Sequence, residues 1–326
     1  MIKSNKEHNN ININNDIEKN SLTLFIKKLI IILVELAFYH NYNLLENPSN
    51  LKVSLCTLGK MENMYAREFV EHYKKYDIDK IFIYDNNEIT GEIFDSVLAD
   101  YIKNKYVEII NYRGKNKIQI PILKDCYKNY AKEYDWILFY DMDEFIFLKN
   151  YTSIKYFLNE EKFQTCYIIY LNWVNHLDNN KIFYSNESLF KRFPKYKYNK
   201  AYAMVKSMIR GHKSKIFINN NHIINSEYTS CDSFGFKKRF INITHTEKPD
   251  YKYYYIDHFY FKSTEEFINK INRGDCFYGN HTHLNLYWIN RYFEANEVTL
   301  NKIKYFEKRS NMSLTHFRGF LNNNIY

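Results

Sequence analysis

Glycine is scarce in this sequence, and its scarcity excludes the commonest phosphate-binding loops. Only eight of the 326 residues are glycine, and neither Gly-x-Gly-x-x-Gly nor Gly-x-x-x-x-Gly-Lys-Ser/Thr occurs. Such loops hold phosphates with backbone N–H groups that glycine leaves accessible. A diphosphate bound by this chain would need another source of positive charge. A divalent cation held by carboxylates is the simplest one.

Cysteine is also sparse, and its spacing indicates neither a zinc site nor a disulfide framework. The number of cysteines is odd, no Cys-x-x-Cys occurs, and the residues are far apart: Cys56, Cys126, Cys166, Cys231 and Cys276. This usage predicts reduced thiols in a cytoplasmic protein.

Long apolar runs are missing as well. The first twenty residues are polar and Asn-rich, unlike a signal peptide. Residues 22–39 are apolar but contain Lys27, Lys28 and Glu35, and their longest uninterrupted run, 29–34, is far shorter than the ~20 residues of a spanning helix. We therefore expect a cytoplasmic protein in which residues 22–39 either dock on the protein body or contact the inner face of a membrane peripherally.

The charge is positive but spread out. The formal net charge is +9, which suits a partner that carries phosphates. No dense Lys/Arg run occurs, so nucleic acid is not an expected partner. Tyrosine is abundant, with 32 residues, as is typical of a chain encoded by AT-rich codons. Its abundance is therefore weak evidence for a sugar-binding surface.

Strand and helix patterns alternate from residue 51 onward. Apolar runs predict strands, and apolar residues at helical spacing predict helices. The predicted strands are 53–58, 80–84, 106–111, 136–140 and 166–171, and the predicted helices are 62–76, 92–103, 121–134, 265–271 and 301–309. This alternation is typical of an α/β fold with a mostly parallel sheet.

The same pattern predicts four parts of the chain. Residues 1–20 have the composition of a disordered segment, and residues 21–50 combine an amphipathic helix with a linker. Residues 51–276 form the α/β domain, and residues 277–326 a C-terminal helical extension.

Polar residues follow two of the predicted strands. Asp141 and Asp143 come directly after the buried strand 136–140, and Asp85 ends the strand 80–84. Ligands of open α/β sheets bind at the carboxyl ends of the strands. Two carboxylates two residues apart can share one Mg²⁺ or Mn²⁺, which can also bridge the phosphates of a nucleotide sugar. Asp85 is a candidate to bind the base or ribose.

Several longer segments share an order and spacing with a known enzyme group. They are Val53–Asn63, Glu68–Tyr73, Ile81–Asn87, Tyr134–Phe145, Leu171–Trp173, Glu187–Phe193, Lys206–Arg210, Ile256–Phe267 and Arg273–Gly274. Over residues 51–276 the sequence resembles bacterial glycosyltransferases of the family-2-like and family-92-like type. That resemblance implies a GT-A fold, which is a mostly parallel α/β sheet flanked by helices. It also implies transfer of a sugar from a nucleotide-diphosphate donor, with a UDP-sugar expected.

The resemblance assigns roles to individual residues. It implies that Asp141 and Asp143 are the metal-binding Asp-x-Asp motif and that His258 is a late third ligand, which suits Mn²⁺. Three cations lie in or beside the matched segments and are candidates to contact the diphosphate: Lys206, Arg210 and Lys262.

Two parts of the pattern leave alternatives open. Relatives often read Arg-Asn-Glu after the first strand, whereas this chain reads Lys60-Met61-Glu62-Asn63, so we place Glu62 among the donor-binding candidates. An inverting transferase also needs a carboxylate that accepts the proton of the acceptor hydroxyl. Asp178, Glu227 and Asp232 lie in the second half of the chain, where we expect such a carboxylate. We keep Asp178 and Asp232 as candidates.

Three functions are compatible with these sequence features. The first is a metal-dependent transferase acting on a saccharide or lipid-linked acceptor in surface-glycan assembly. The second is a metal-dependent nucleotidyltransferase, against which the absence of a Gly-rich loop counts. The third is a non-catalytic carbohydrate-binding protein, which would need neither the ordered carboxylates nor His258.

Overall fold

The protein is described here by a computed structural model that covers residues 26–30, 33, 50–198, 202–212, 216–218, 222, 225–226, 228–237, 245–274 and 282–309. The chain divides into two compact units, residues 1–50 and 51–326. Residues 26–30 and 33 are helical; the rest of the 22–39 segment, and all of 1–20, lie outside the described residues. Within the described part, no helix is long and apolar enough to cross a membrane.

The first half of the second unit alternates strands and helices as the sequence predicts. Helix α1 begins at Asn63 and buries Tyr65, Phe69 and Tyr73, whose spacing of four residues places them on one face. The elements are β1 (Val53–Gly59), α1 (Asn63–Lys75), β2 (Lys80–Asp85), α2 (Asp95–Lys103), β3 (Val107–Asn111), α3 (Gln119–Tyr130), β4 (Trp136–Phe139) and β5 (Glu144–Leu148).

The second half is richer in strands than the sequence pattern indicates. The strand predicted at 166–171 runs from Ile168 to His176. The elements are α4 (Ile154–Leu158), a 3₁₀ turn (Glu161–Phe163), β6 (Ile168–His176), α5 (Leu189–Arg192), β7 (Tyr196–Lys197), β8 (Tyr202–Arg210), β9 (Ile216–Phe217), β10 (Asn225–Ser226), β11 (Ser230–Cys231), β12 (His245–Glu247), β13 (Tyr254–His258), α6 (Thr264–Asn272), α7 (Thr282–Ala295) and α8 (Leu300–Arg309).

One large sheet organises these elements. Its strand order is β3-β2-β1-β4-β8-β6-β13-β5, with β7 and β11 paired to β6 and β12 paired to β8. Strands β3, β2, β1 and β4 are parallel, and β8 lies antiparallel to both β4 and β6. The expected GT-A architecture, a mixed α/β fold with a mostly parallel sheet and flanking helices, is confirmed.

The sheet is buried on both faces. Along β4, Trp136 and Leu138 join one hydrophobic cluster, and Ile137 and Phe139 join the other. All four side chains are almost completely buried. Burying each such side chain contributes about 1.5–3 kcal/mol. An unbroken apolar run at this position therefore fits a central strand covered by helices on both sides.

The last three helices pack together and close one end of the unit. Phe267 of α6 stacks on Tyr292 of α7 with ring centroids 4.4 Å apart, and Phe306 of α8 joins the same cluster. Helix α6 begins with a capping box, in which the Ser263 side chain accepts from the Glu266 backbone and the Glu266 side chain accepts from that of Ser263. Ring packing therefore holds the three helices together, and the capping box fixes where α6 begins.

The expectation of reduced cysteines is wrong for the four that the structure describes; Cys276 lies outside the described residues. Cys56 is joined to Cys126, and Cys166 to Cys231, with Cα–Cα distances of 6.6 and 5.8 Å that suit disulfides. The partners are 70 and 65 residues apart in sequence, so no local spacing announces them. They meet because the fold brings β1 against α3 and the start of β6 against β11. The argument from cysteine usage for a cytoplasmic location therefore no longer holds.

Candidate functional site

An acidic turn connects β4 to β5. The backbone N–H of Glu144 donates to the carbonyl of Asp141 (3.0 Å), and the backbone N–H of Asp141 donates to Glu144 Oε2 (3.0 Å). These bonds hold three carboxylates within four residues at the carboxyl end of a central strand. The side chain of Asp141 is 32% exposed, whereas those of Asp143 and Glu144 are buried. The fold therefore places two of the three acidic side chains of this turn, those of Asp143 and Glu144, inside the protein.

Strand β13 brings a histidine to this turn. His258 lies opposite Glu144 in the antiparallel pairing of β13 with β5. Its Nε2 is 3.5 Å from Asp143 Oδ1 and 4.0 Å from Glu144 Oε1. Its Nδ1 lies 3.1 Å from Asn175 Oδ1, which can only accept a hydrogen bond. In the tautomer whose Nδ1–H donates to this oxygen, the Nε2 lone pair faces the two carboxylates.

These three residues form a donor set that fits a divalent cation. One ligand atom from each of Asp143, Glu144 and His258 lies within 4.8 Å of the other two, and all three residues are buried. Glu144 Oε1 is buried and receives no well-aligned hydrogen bond; Lys206 Nζ is 3.2 Å away. Two carboxylates and one neutral imidazole suit Mn²⁺, and also Mg²⁺ with water completing its shell. The residues present thus fit the expected cation.

Three lysines neutralise the acidic turn. Lys206 Nζ is fully buried and lies 2.5 Å from Asp141 Oδ2. Lys262 and Lys270 both face Asp143, with Nζ–Oδ2 distances of 3.5 and 2.6 Å. Lys262 Nζ also sits 4.3 Å from the centre of the Tyr65 ring. Buried carboxylates are tolerated when such cations compensate them.

Burial and the neighbouring lysines shift the pKa values of Asp143 and Glu144 in opposite directions. Burial alone would raise the pKa of Asp143, but Lys270 and Lys262 outweigh it and hold that pKa well below its usual range. Burial raises the pKa of Glu144 well above its usual range, although Lys206 opposes this. Burial also lowers the pKa of His258, so its imidazole is neutral and competent as a ligand.

The ends of β1 and β2 carry the other predicted donor-binding residues. Asp85 ends β2; its carboxylate accepts from Arg113 (2.7 Å) and from the side chain of Asn87 (2.8 Å). Glu62 follows β1 and accepts from Arg273 (3.0 Å). A small cleft connects this corner to the lysines; Glu62, Tyr65, Lys262, Lys270 and Arg273 are among its lining residues. Glu62 therefore shares a surface with two cations that contact Asp143.

Arg210 lies away from this corner. It stands opposite Trp136 in the β4–β8 pairing, at the amino end of β4, whereas the acidic turn follows its carboxyl end. Its guanidinium sits 4.5 Å from the Trp136 ring and donates to the carbonyls of Cys166 and Phe163. This position does not support a contact with the diphosphate.

The two candidate bases are also held in other interactions. Asp178 is buried and accepts from Tyr292 (2.5 Å), with Lys302 Nζ 2.6 Å away. Asp232 is half-buried, and its Oδ1 accepts from the backbone of Phe234 and Phe236 in a turn. Glu227 lies outside the described residues.

Sequence reasoning missed three contributors to this corner. It did not place Glu144 among the ligands, and it passed over Lys270 and Asn175. Lys270 contacts Asp143 across 127 positions of sequence, and Asn175 contacts His258 across 83. No local spacing predicts these contacts, because Lys262 precedes α6 and Asn175 meets His258 only through the pairing of β6 with β13.

Comparisons with known proteins find a family match and some distant structural likenesses. Residues 49–286 match the model of glycosyltransferase family 92. No curated protein matches the chain. Solved structures similar to it include the mannosyltransferase PcManGT from Pyrobaculum calidifontis in complex with GDP-Man and Mn²⁺, with 10% identity, 41% of each chain covered and a TM-score of 0.28. Another is S. aureus TarS residues 1–349 in complex with UDP, with 14% identity, 49% of this chain and 47% of that chain covered, and a TM-score of 0.28.

The chain spans less than half the length of these two structures, and likenesses this distant carry no argument about its ligands. The family model, by contrast, covers more than two thirds of the chain, from before β1 to within α7. It includes the acidic turn, His258 and all three lysines around them. The family-92-like resemblance expected from the sequence is confirmed, and the chain belongs to glycosyltransferase family 92.

Proposed function

We propose that this chain is a metal-dependent glycosyltransferase. It moves a sugar from a nucleotide-diphosphate donor, for which we propose a UDP-sugar, to a saccharide or lipid-linked acceptor in surface-glycan assembly. One observation carries the proposal. Asp143 of the acidic turn, Glu144 at the start of β5 and His258 of β13 bring their ligand atoms within 4.8 Å of one another beside three buried or half-buried lysines. Such a cluster suits a cation that carries a diphosphate.

Mn²⁺ or Mg²⁺ would be held by Asp143, Glu144 and His258. When bound, the cation supplies positive charge to the diphosphate leaving group. Asp141, more exposed than the other two carboxylates, faces Lys206, which also neutralises Glu144. We propose that Asp141 helps to orient the donor from the edge of this cluster and is not one of the three ligands of the cation.

Lys262 and Lys270 compensate Asp143 in the described structure. Both ammonium groups approach the same oxygen, Oδ2, and Lys270 keeps 20% of its side chain exposed. We propose that they turn toward the donor phosphates once a cation neutralises Asp143. Lys206 stays with Asp141 and Glu144, because it is fully buried.

Glu62 and Asp85 are the proposed contacts for the ribose or base. Both are buried carboxylates at the ends of neighbouring parallel strands, where α/β sheets bind ligands. Each is already oriented by an arginine, Arg273 or Arg113. A carboxylate held this way keeps further lone pairs for sugar hydroxyls.

For the general base, Asp178 and Asp232 both remain proposals, without a preference between them. Asp178 is buried in a network with Tyr292 and Lys302 that ties α7 and α8 to the domain, which explains its burial without any catalytic role. Asp232 is half-buried in a turn after β11, which pairs with the start of β6, at the end of the sheet where Arg210 lies. Residues 22–39 remain a proposed peripheral membrane contact, and a location at the inner face of a membrane remains a proposal with them.

Calorimetric titration of UDP, GDP and CDP, each with and without Mn²⁺, tests the proposal. We expect one nucleotide to bind only with metal. His258→Ala should weaken the Mn²⁺-dependent binding of the nucleotide, because it removes the one nitrogen ligand. Asp100→Asn, a change in an exposed carboxylate of α2, is the control. Binding of no nucleotide under any condition would refute the proposal, and equal metal dependence in His258→Ala would remove that residue from the site.

A further inference from the structure

A second cleft lies on the other side of the sheet. It has a volume of about 370 Å³, within the range of small-molecule pockets. Four of its eight lining residues are tyrosines, and two of the other four are charged; the residues are Val174, Tyr196, Tyr198, Pro249, Asp250, Tyr251, Lys252 and Tyr255. None of them belongs to the acidic turn or to the lysines around it. We call this the tyrosine cleft.

Strand alternation places the tyrosine cleft on the face opposite the metal ligands. Successive side chains of a strand point to opposite faces. In β6, Val174 lines the cleft, whereas its neighbour Asn175 contacts His258. In β13, Tyr255 lines the cleft, and His258, three residues later, points to the other face. The two sites therefore use the same two strands but open on different sides.

The rings of the cleft form an exposed platform. Tyr196 and Tyr198 are 52% and 46% exposed, and their rings are stacked with centroids 6.3 Å apart. Tyr198 also packs against Tyr251, with ring centroids 4.7 Å apart. Across the sheet, Tyr255 stacks on Phe147 at 4.7 Å, which fixes its ring. Rings held by one another lose little further freedom when a ligand covers them.

Polar groups stand at the rim of this platform. The backbone N–H of Lys252 donates to Asp250 Oδ1 (2.8 Å), which orients that carboxylate, and the Lys252 side chain is exposed. A ligand for this surface needs flat apolar patches to cover the rings and hydroxyls to reach the carboxylate and the ammonium. A sugar ring has both, since its axial C–H groups form an apolar face and its hydroxyls project from the edge.

We infer that the tyrosine cleft is a saccharide-binding site, separate from the transfer site, that holds a neutral glycan chain. The ligand class follows from the aromatic platform with its polar rim, in a chain that belongs to a glycosyltransferase family. A second site on the opposite face would keep a polymeric acceptor bound to the enzyme while the end of that acceptor enters and leaves the transfer site.

Binding of neutral oligosaccharides to the full chain tests this inference. Maltopentaose, cellopentaose and chitopentaose are titrated by calorimetry into the wild type without nucleotide or metal. We expect at least one to bind, and Tyr198→Ala to weaken it roughly tenfold, the loss of one stacking ring. Tyr198→Phe keeps the ring and should bind like the wild type. Tyr287→Ala removes an equally exposed tyrosine of α7, 50% exposed and outside the cleft, and should have no effect.

Three outcomes would overturn the inference. They are binding of no oligosaccharide, equal loss of binding in Tyr287→Ala and Tyr198→Ala, and displacement of the saccharide by UDP with Mn²⁺, which would place it in the transfer site. Light scattering provides a fourth arm: a dimer that Tyr198→Ala converts to a monomer, with no saccharide bound, would make the cleft a contact between copies instead. Because no arm but the displacement requires nucleotide, failure here is distinguishable from failure of the proposed transferase site.

Discussion

Replacing Lys270 by methionine should raise the affinity of the free protein for Mn²⁺ and lower its affinity for the nucleotide. The Lys270 ammonium lies 2.6 Å from Asp143 Oδ2, and 80% of its side chain is shielded from solvent. A cation that binds Asp143 must therefore compete with this ammonium group. Methionine keeps most of the side-chain volume and removes the charge.

The magnitude follows from the geometry. At 2.6 Å and an effective dielectric constant of 20, the attraction of this pair is about 6 kcal/mol before solvation is counted. Most of that is offset, because the displaced ammonium regains hydration and Lys262 still faces Asp143. We expect a net gain of about 1–2 kcal/mol in Mn²⁺ binding, which is roughly a tenfold rise in affinity.

The nucleotide should respond in the opposite direction. At saturating Mn²⁺, UDP would lose one ammonium that the proposal assigns to its phosphates, and its affinity should fall about tenfold. Calorimetry measures both effects on the same variant. Lys191→Met is the control, since Lys191 pairs with Glu187 at 2.6 Å on the surface and its loss changes the net charge equally. Unchanged or weaker Mn²⁺ binding in Lys270→Met would refute the competition between Lys270 and the cation.

Two further predictions concern stability. Burial lowers the pKa of His72 to about 4, against about 6.5 in an unfolded chain; the stability that depends on neutral His72 is therefore complete above pH 6.5 and is lost as the pH falls toward 4, by up to about 3 kcal/mol. Urea unfolding across that window should show a smaller loss in His72→Gln, and an identical pH profile would contradict this. Disulfides should leave one free thiol of five per chain in air-oxidised protein, titrated after denaturation. Cys166→Ala with Cys231→Ala should lower the melting temperature on the order of 10 °C, since a loop of this length contributes about 4 kcal/mol; five free thiols would contradict the pairing.

Local sequence determined the first half of the fold. The apolar runs at 53–58, 80–84 and 136–140 became β1, β2 and β4 because a central strand must be apolar on both faces, a requirement written into consecutive residues. Asp141 and Asp143 could be placed at a strand end for the same reason. The resemblance to family 92 depended on this order of segments, and the family match confirms it.

Tertiary structure decided which side chains meet. Glu144 and His258 lie opposite each other only because β13 pairs with β5, and Lys270 reaches Asp143 only because α6 packs over the acidic turn. Arg210 ends one of the matched segments, yet the antiparallel direction of β8 places it at the far end of β4. Sequence spacing fixes the neighbours within an element, whereas strand pairing across 100 or more residues fixes the site. The carboxylates were therefore visible in the sequence, and the partners that give them a chemistry became visible only in the fold.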